Sequence, residues 1–210
     1  MLEHVDLPIV LGAALIAVAS PGPSILAIVG TSMESGRGRG LLLAAGISAG
    51  SLTWSIAAAL GLGAVMLANV WAFETIRWLG GLYLLWLAWR SARSALRPTA
   101  SVGVGLGLAG TTGLRTFLAG WGLHLTNPKA ILFIGSLYAL GVPAEATASE
   151  LAMVVGAVSL QSALVFHGYA LAFSERRAAD AYLRFKRVFD GLFAVAFGLA
   201  GLKILTARLR

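Results

Sequence analysis

The sequence predicts an all-α integral membrane protein with six transmembrane helices, arranged as two inverted-topology three-helix repeats whose first helices are each broken by proline. Three observations carry this expectation. The 210 residues are 58% hydrophobic and 12% charged, with a mean hydropathy of +0.84, whereas a soluble domain has about 25% charged residues. Six apolar segments, separated by short polar loops, come near or above the ~17 to 25 residues that a spanning helix needs. The first segment of each half carries a proline break in its middle.

The segments run from about Leu7 to Ser32, Leu41 to Ala68, Ile76 to Trp89, Thr116 to Leu140, Leu151 to Phe173 and Val188 to Leu205. The third is short. It can extend to Val70 and toward Leu96, carrying Glu74 and Arg77 near one interface, and Trp71, Trp78, Trp86 and Trp89 suit an interfacial belt. Ala17-Val18-Ala19 resembles a signal-peptide cleavage site, but the first six residues hold Glu3 and Asp6 with no Lys or Arg, and the apolar run resumes at Ile25 to Val29. The first segment is therefore expected to stay in the protein.

The net charge of +7 does not mark a nucleic-acid binder, because the basic residues lie in loops rather than on a stripe with interleaved aromatics. It reports orientation instead. Eleven of the sixteen Lys and Arg follow segments one, three and five: Arg37 and Arg39; Arg90, Arg93, Arg97 and Arg115; Arg176, Arg177, Arg184, Lys186 and Arg187. Both termini are thus expected outside the cytoplasm, with the basic tail at Lys203, Arg208 and Arg210 dissenting. Glu34, Arg37 and Arg39 read as a solvated loop. The absence of cysteine excludes disulfides, thiolate metal sites and dithiol redox chemistry.

The Gly-, Ser- and Thr-rich stretch at 98–113 divides a single transport domain into repeats at about 1–97 and 114–210. Three spans per half require opposite topologies. With an offset of 106, Ser20-Pro-Gly-Pro-Ser-Ile-Leu-Ala-Ile28 lies over Thr126-Asn-Pro-Lys-Ala-Ile-Leu-Phe-Ile134. Pro21 and Pro23 have no N–H for the carbonyls of Ala17 and Ala19, and Pro128 has none for His124. Such a deficit costs several kcal/mol in lipid, so the break must be buried in protein or face a wet cavity. Each resumed half-helix offers a carboxylate its N-terminal donors, and the preceding ends, at Ala17 to Ser20 and near His124, offer carbonyls to an ammonium. A zwitterion matches both. One proline merely kinks a helix, but paired breaks in inverted halves are the sequence sign of a transporter site.

Lys129 lies 13 residues from Thr116 and 11 from Leu140, about 16 to 20 Å from either end of its segment at 1.5 Å per residue. It cannot easily snorkel out, and a lysine at that depth costs roughly 2.5 to 3.5 kcal/mol. No acid lies at mid-depth to pair with it, so it is expected to face a cavity as the fixed positive partner of a carboxylate. Asn127 is expected to cap the second half-helix. Pro21, Gly22, Pro23, Ser24, Asn127, Pro128 and Lys129 are the candidate substrate-binding residues. His124, His167 and Gln161 read first as satisfied packing residues. Gly46-x-x-x-Gly50 with Ser51, Thr53 and Ser55 reads first as close helix packing and second as a cavity lining. Gly-x-Ser-x-Gly, Gly-Lys-Ser/Thr and paired-histidine zinc signatures are absent, so no catalytic residue, metal or cofactor is expected.

Pro21-Gly-Pro-Ser-Ile-Leu26, Gly36-Arg-Gly-Arg-Gly-Leu41, Gly46-x-x-x-Gly50, Gly61-Leu62 and Gly80-Gly-Leu-Tyr-Leu-Leu85, followed by Thr126-Asn-Pro-Lys-Ala130 and Ile131-Leu-Phe133, resemble the LysE/RhtB amino-acid exporters. The likeness covers residues 8 to 140 well and the rest by hydropathy, with Gly191 to Leu202 a loose match. It implies efflux of an amino acid or a closely related small metabolite across a bacterial inner membrane, driven by proton entry. The functional positions it implies are Pro21, Gly22, Pro23, Asn127, Pro128 and Lys129. Leu137-Tyr-Ala-Leu-Gly-Val-Pro143 replaces the Pro-x-Phe ending of the family, and His124 is no part of its signature, so the substrate stays open, as does the choice between monomer and homodimer. With no mid-depth acid, the candidate proton relay is His124, His167, Lys129 or the interfacial Asp190. A heavy-metal or other cation exporter would need soft or acidic ligands near the breaks. A membrane scaffold would gain nothing from an unpaired Lys129.

The orientation is testable in this cysteine-free chain with single cysteines at Ser101 and Ala146. In intact cells an impermeant thiol reagent should label Ala146→Cys and not Ser101→Cys; the opposite pattern inverts the topology.

Overall fold

The computed structural model describes residues 5–20, 22–68, 70–96, 106, 108, 110–143 and 145–206. These residues form α1 (Leu7–Ala19), α2 (Pro23–Ser35), α3 (Arg37–Ala68), α4 (Val70–Ala95), α5 (Gly113–Leu125), α6 (Pro128–Gly141), α7 (Ala148–Ala172) and α8 (Arg176–Thr206), with no strand among them. α1 and α2 together cover the first predicted segment, and α5 and α6 cover the fourth. Each interruption falls at the predicted prolines, which open α2 and α6 in the first turn, where a missing N–H has no helical partner to lose. Pro21 and most of the 98–113 stretch lie outside the described residues.

Among the described residues, Arg37–Gly61 and Ala148–Ala172 are long and apolar enough to cross a membrane alone. α1 and α2 qualify as one broken span bent by 52°. α5 and α6, with 13 and 14 residues, are each about 20 Å long at 1.5 Å per residue, short of the ~30 Å hydrocarbon core when taken singly. α4 and α8, with 26 and 31 residues, exceed the ~20 residues that a spanning helix needs. The outer face of α8 is apolar, with Val188, Leu192, Val195, Leu199 and Leu202 all exposed.

Several basic residues expected in loops are helical: Arg37 and Arg39 open α3, Arg90 and Arg93 close α4, and α8 begins at Arg176 rather than Val188. Arginine and lysine are good helix formers, so a span can continue past its apolar stretch. Arg39 is not merely solvated. It donates to the hydroxyls of Thr111 and Thr116, each at 2.9 Å, and so ties the start of α3 to the start of α5. Gly36, at φ +82°, makes the single-residue turn between α2 and α3, a backbone shape that other residues rarely adopt.

Side-chain caps hold the helix ends. Asp6 accepts from the Ile9 N–H, Thr112 from that of Arg115 and Asn127 from that of Lys129, while Thr147 and Glu150 form a reciprocal capping box on α7. The helices pack as α4 along α8 and as α3 against α5 and α7. Small residues permit the close approaches, as expected where lipid tails give no hydrophobic drive to helix association. A Cβ at Gly46 would run into the Phe117 carbonyl and one at Gly120 into the Leu43 carbonyl; one at Gly50 would meet His124 Cβ at 2.8 Å. At the α4–α8 seam, a Cβ on Gly201 would lie 3.0 Å from the Gly81 carbonyl.

The α3–α5 contact predicts a simple contrast. Gly120→Ala should lower the melting temperature in detergent, because backbone must move at an overpacking cost of about 1 to 3 kcal/mol. Gly156→Ala, whose Cβ meets nothing within 4 Å, should not. Equal stability of the two variants would contradict the close contact.

Candidate functional site

The two helix breaks meet. α1 ends in Ser20 and α2 starts after the extended Gly22, while α5 ends in Thr126 and α6 starts after Asn127. The Asn127 side chain bridges them. Its Oδ1 accepts the Lys129 N–H at 3.0 Å, which leaves Nδ2 to donate to Ser24 Oγ at 3.0 Å. Ser24 Oγ in turn lies 3.0 Å from His124 Nδ1. Since Ser24 already accepts from Asn127, its own proton can go to Nδ1, which assigns the imidazole proton to Nε2. The start of α2, the start of α6 and the end of α5 are thus held by one chain of three buried side chains.

Lys129 reaches across to the end of α1. Its Nζ donates to the Ser20 carbonyl at 2.7 Å and to the Ser20 hydroxyl, and it stands 6.0 Å from the centroid of the Phe197 ring. The expectation of an unpaired ammonium is therefore corrected. The compensation comes from a backbone carbonyl at a helix C-terminus, which carries partial negative charge, and hydropathy gives no sign of it. A Cβ on Gly22 would sit 3.0 Å from Lys129 Cδ and 3.3 Å from Nζ, so a glycine there leaves the lysine its path.

The carbonyls expected to lack partners have them. Ala17 accepts from the Ser20 hydroxyl at 3.0 Å, Ala19 from the Tyr169 hydroxyl at 2.8 Å, and His124 from the Asn127 N–H at 3.2 Å. Local turns and one tyrosine from α7 thus replace the bonds that the prolines cannot make.

Residues at the two breaks line a cavity of about 50 Å³. Ser20, Gly22, Ser24, His124, Asn127 and Lys129 form its polar side; Ile25, Phe133, Ile134, Val158 and Phe166 supply apolar wall. Gly22, Ser24, Asn127 and Lys129, all candidates from the sequence, come together here, while Pro23 and Pro128 open the two helices that carry them and do not face the cavity. Of the relay candidates only His124 and Lys129 line it. His167 Nδ1 is bonded to the Ala163 carbonyl one turn back on α7, and Asp190 is buried on α8, accepting from Ser94 of α4 at 2.7 Å. Gly46, against Phe117, and Gly50, against His124, lie in the α3–α5 contact, outside the lining.

Sequence reasoning overlooked Ser162, Phe166 and Phe133, and it weighed Ser51 as lining only second. A usable signal existed on α7, where Val154, Val158, Ser162, Phe166 and Ala170 recur every four residues on the buried face, so that one hydroxyl enters an otherwise apolar stripe. Ser162 Oγ and His124 Nε2 are buried without a protein partner. The cavity therefore combines one cation, the first turns of two helices, free polar edges and an apolar wall, which can receive a small solute bearing a carboxylate and an apolar or weakly polar remainder. Among the described residues no group of three or more His, Cys, Asp or Glu side chains is arranged to hold a metal.

A helical protein with a pocket, apolar on one side and polar on the other, where two interrupted helices meet has the site architecture of the membrane carriers of small solutes. The family model of the LysE type translocators matches residues 15–208, and the chain belongs to that family. Across 194 residues it is 27% identical to the threonine efflux protein of Salmonella typhimurium, covering 92% of this chain and 94% of that one. It is 32% identical over 162 residues to the leucine efflux protein of an Enterobacter species, 74% and 75% of the two chains. Over 126 residues it is 30% identical to the homoserine/homoserine lactone efflux protein of Salmonella typhimurium, 57% and 56% of the two. No solved structure matches it.

Proposed function

We propose that this chain is a secondary exporter of amino acids or closely related small metabolites across the bacterial inner membrane, driven by proton entry. The observation that carries the proposal is the cavity at the paired breaks, with Lys129 in its wall. The substrate carboxylate binds Lys129 and the first turns of α2 and α6, where each helix end adds about 0.3 to 1 kcal/mol. The relatives named for threonine, leucine and homoserine efflux support a small α-amino acid as cargo. Their side chains differ while the zwitterion is shared, so the part of the site common to them is the part that reads charge.

The six segments act as six spans in two inverted repeats, 1–97 and 114–210, with both termini outside the cytoplasm. Supporting this, α1 with α2 and α5 with α6 repeat one pattern, a 13-residue helix, a proline break and a second helix of 13 or 14 residues. His124 is the residue through which proton entry acts. It touches both breaks through Ser24 and Asn127, and its second ring nitrogen is free within the protein. Gain or loss of a proton there changes what Ser24 must donate or accept, and so changes how α2 is tied to α6.

The test is efflux from preloaded proteoliposomes. Lys129→Met should insert and fold, since an apolar residue removes the insertion cost, while efflux should fall roughly 10- to 150-fold, the worth of a charge-assisted bond of about 1.5 to 3 kcal/mol. A folded, inserted Lys129→Met protein that exports at the parental rate would leave the lysine a structural role only.

A further inference from the structure

We propose that Ser20 and Phe197 form an ammonium subsite which Lys129 and the ammonium of the substrate occupy in turn, so that Lys129 acts as a built-in counter-substrate. The inference rests on the amino-acid reading above and adds the event by which the site fills. Three different ligands for a primary ammonium surround one point at the end of α1: the Ser20 carbonyl at 2.7 Å, the Ser20 hydroxyl and the Phe197 ring face at 6.0 Å from Nζ. The carbonyl terminates a helix and carries its negative pole, and the ring attracts cations through its quadrupole. Ser20 and Phe197 are both buried, which makes these attractions worth more than they would be in water.

Nothing in the arrangement requires that the ammonium belong to a lysine. It has no carboxylate, so it accepts one positive charge and repels a second. An α-amino acid entering the cavity brings the same –NH₃⁺ group together with a carboxylate one carbon away. When its ammonium takes the Ser20 carbonyl, Lys129 must leave, and the substrate's own carboxylate is what receives it. The lysine can make that swing without disturbing α6, because its backbone N–H stays on Asn127 Oδ1 and only its four-carbon stem turns. Gly22 leaves the stem room, as a Cβ there would press on Cδ and Nζ.

The exchange explains selection for a zwitterion. An amine without a carboxylate would displace Lys129 and give it nothing to bind, whereas a carboxylate without an amine would leave Ser20 bare when it drew the lysine away. Only a molecule with both groups closes the exchange. On release Lys129 returns to Ser20, and the subsite holds one cation at each end of the cycle.

The experiment uses the full-length protein in detergent and reads thermal stabilisation by n-butylammonium chloride, with potassium chloride as the ionic control. Lys129→Met, which vacates the subsite, should be stabilised saturably by butylammonium, and the parent should not. Adding Phe197→Leu to Lys129→Met should weaken the apparent affinity about fivefold. Absence of any effect on Lys129→Met beyond that of potassium, or an equal effect on the parent, overturns the proposal. A parallel measurement needs no variant: the parent should be stabilised by threonine and not by its decarboxylated amine, and equal stabilisation by the two overturns the exchange even if Lys129→Met does not fold. If the parent exports no amino acid from proteoliposomes yet Lys129→Met binds butylammonium, the subsite stands and the export function falls. If export is intact and butylammonium does not bind, only the subsite falls.

Discussion

A proline inside an apolar span removes a backbone hydrogen bond that lipid cannot replace, and the polar interior of this protein is organised around two such deficits. Pro23 and Pro128 open α2 and α6 in the first turn, where a missing N–H forfeits no helical bond. The carbonyls behind them are satisfied by Ser20, Asn127 and Tyr169, so the breaks are closed from within the protein. The same repairs leave Ser24, His124 and Asn127 facing one another across the two breaks. In the proposed function, the residues that stabilise an interrupted helix are also those that recognise a zwitterion.

Lys129 illustrates the balance. A lysine at mid-depth costs roughly 2.5 to 3.5 kcal/mol on insertion, and two charge-assisted bonds return about 1.5 to 3 kcal/mol each, so the two acceptors on Ser20 suffice to hold it. A tighter ion pair would hold it too well. A carboxylate partner would compete with the carboxylate of any cargo, whereas a carbonyl and a hydroxyl are neutral ligands that a charged one can outbid. On the proposed function, the absence of a mid-depth acid in the sequence leaves Lys129 free to meet the carboxylate of the cargo.

The breaks, the cap at Asn127 and the place of Lys129 in the cavity wall were legible because each is a local conflict between residue type and surroundings: a proline within an apolar run, an asparagine before a helix, a lysine far from the ends of its segment. The helical segments were legible from hydropathy for the same reason, although their ends were not, since α3 and α8 run on through basic residues that the pattern assigned to loops. The partner of Lys129 was hidden because Ser20 lies 109 residues away and offers mainly its backbone, which has no signature in side-chain chemistry. The partners of Arg39 are hidden for a similar reason, being Thr111 at the end of the linker and Thr116 in the first turn of α5. Ser162 and Phe166 went unnoticed on α7 because a serine and a phenylalanine are ordinary on the buried face of a helix until a cavity opens beside them.

A structure of the full-length protein determined with a bound amino acid would examine the site at the level of atoms. The substrate carboxylate should lie about 2.7 to 2.9 Å from Lys129 Nζ, the length of a charge-assisted bond, with the lysine drawn off Ser20 and the substrate ammonium on the Ser20 carbonyl. An amino acid seated in the cavity with its carboxylate remote from Lys129, and Lys129 still bonded to Ser20, would contradict the assignment of the lysine as the group that reads the cargo.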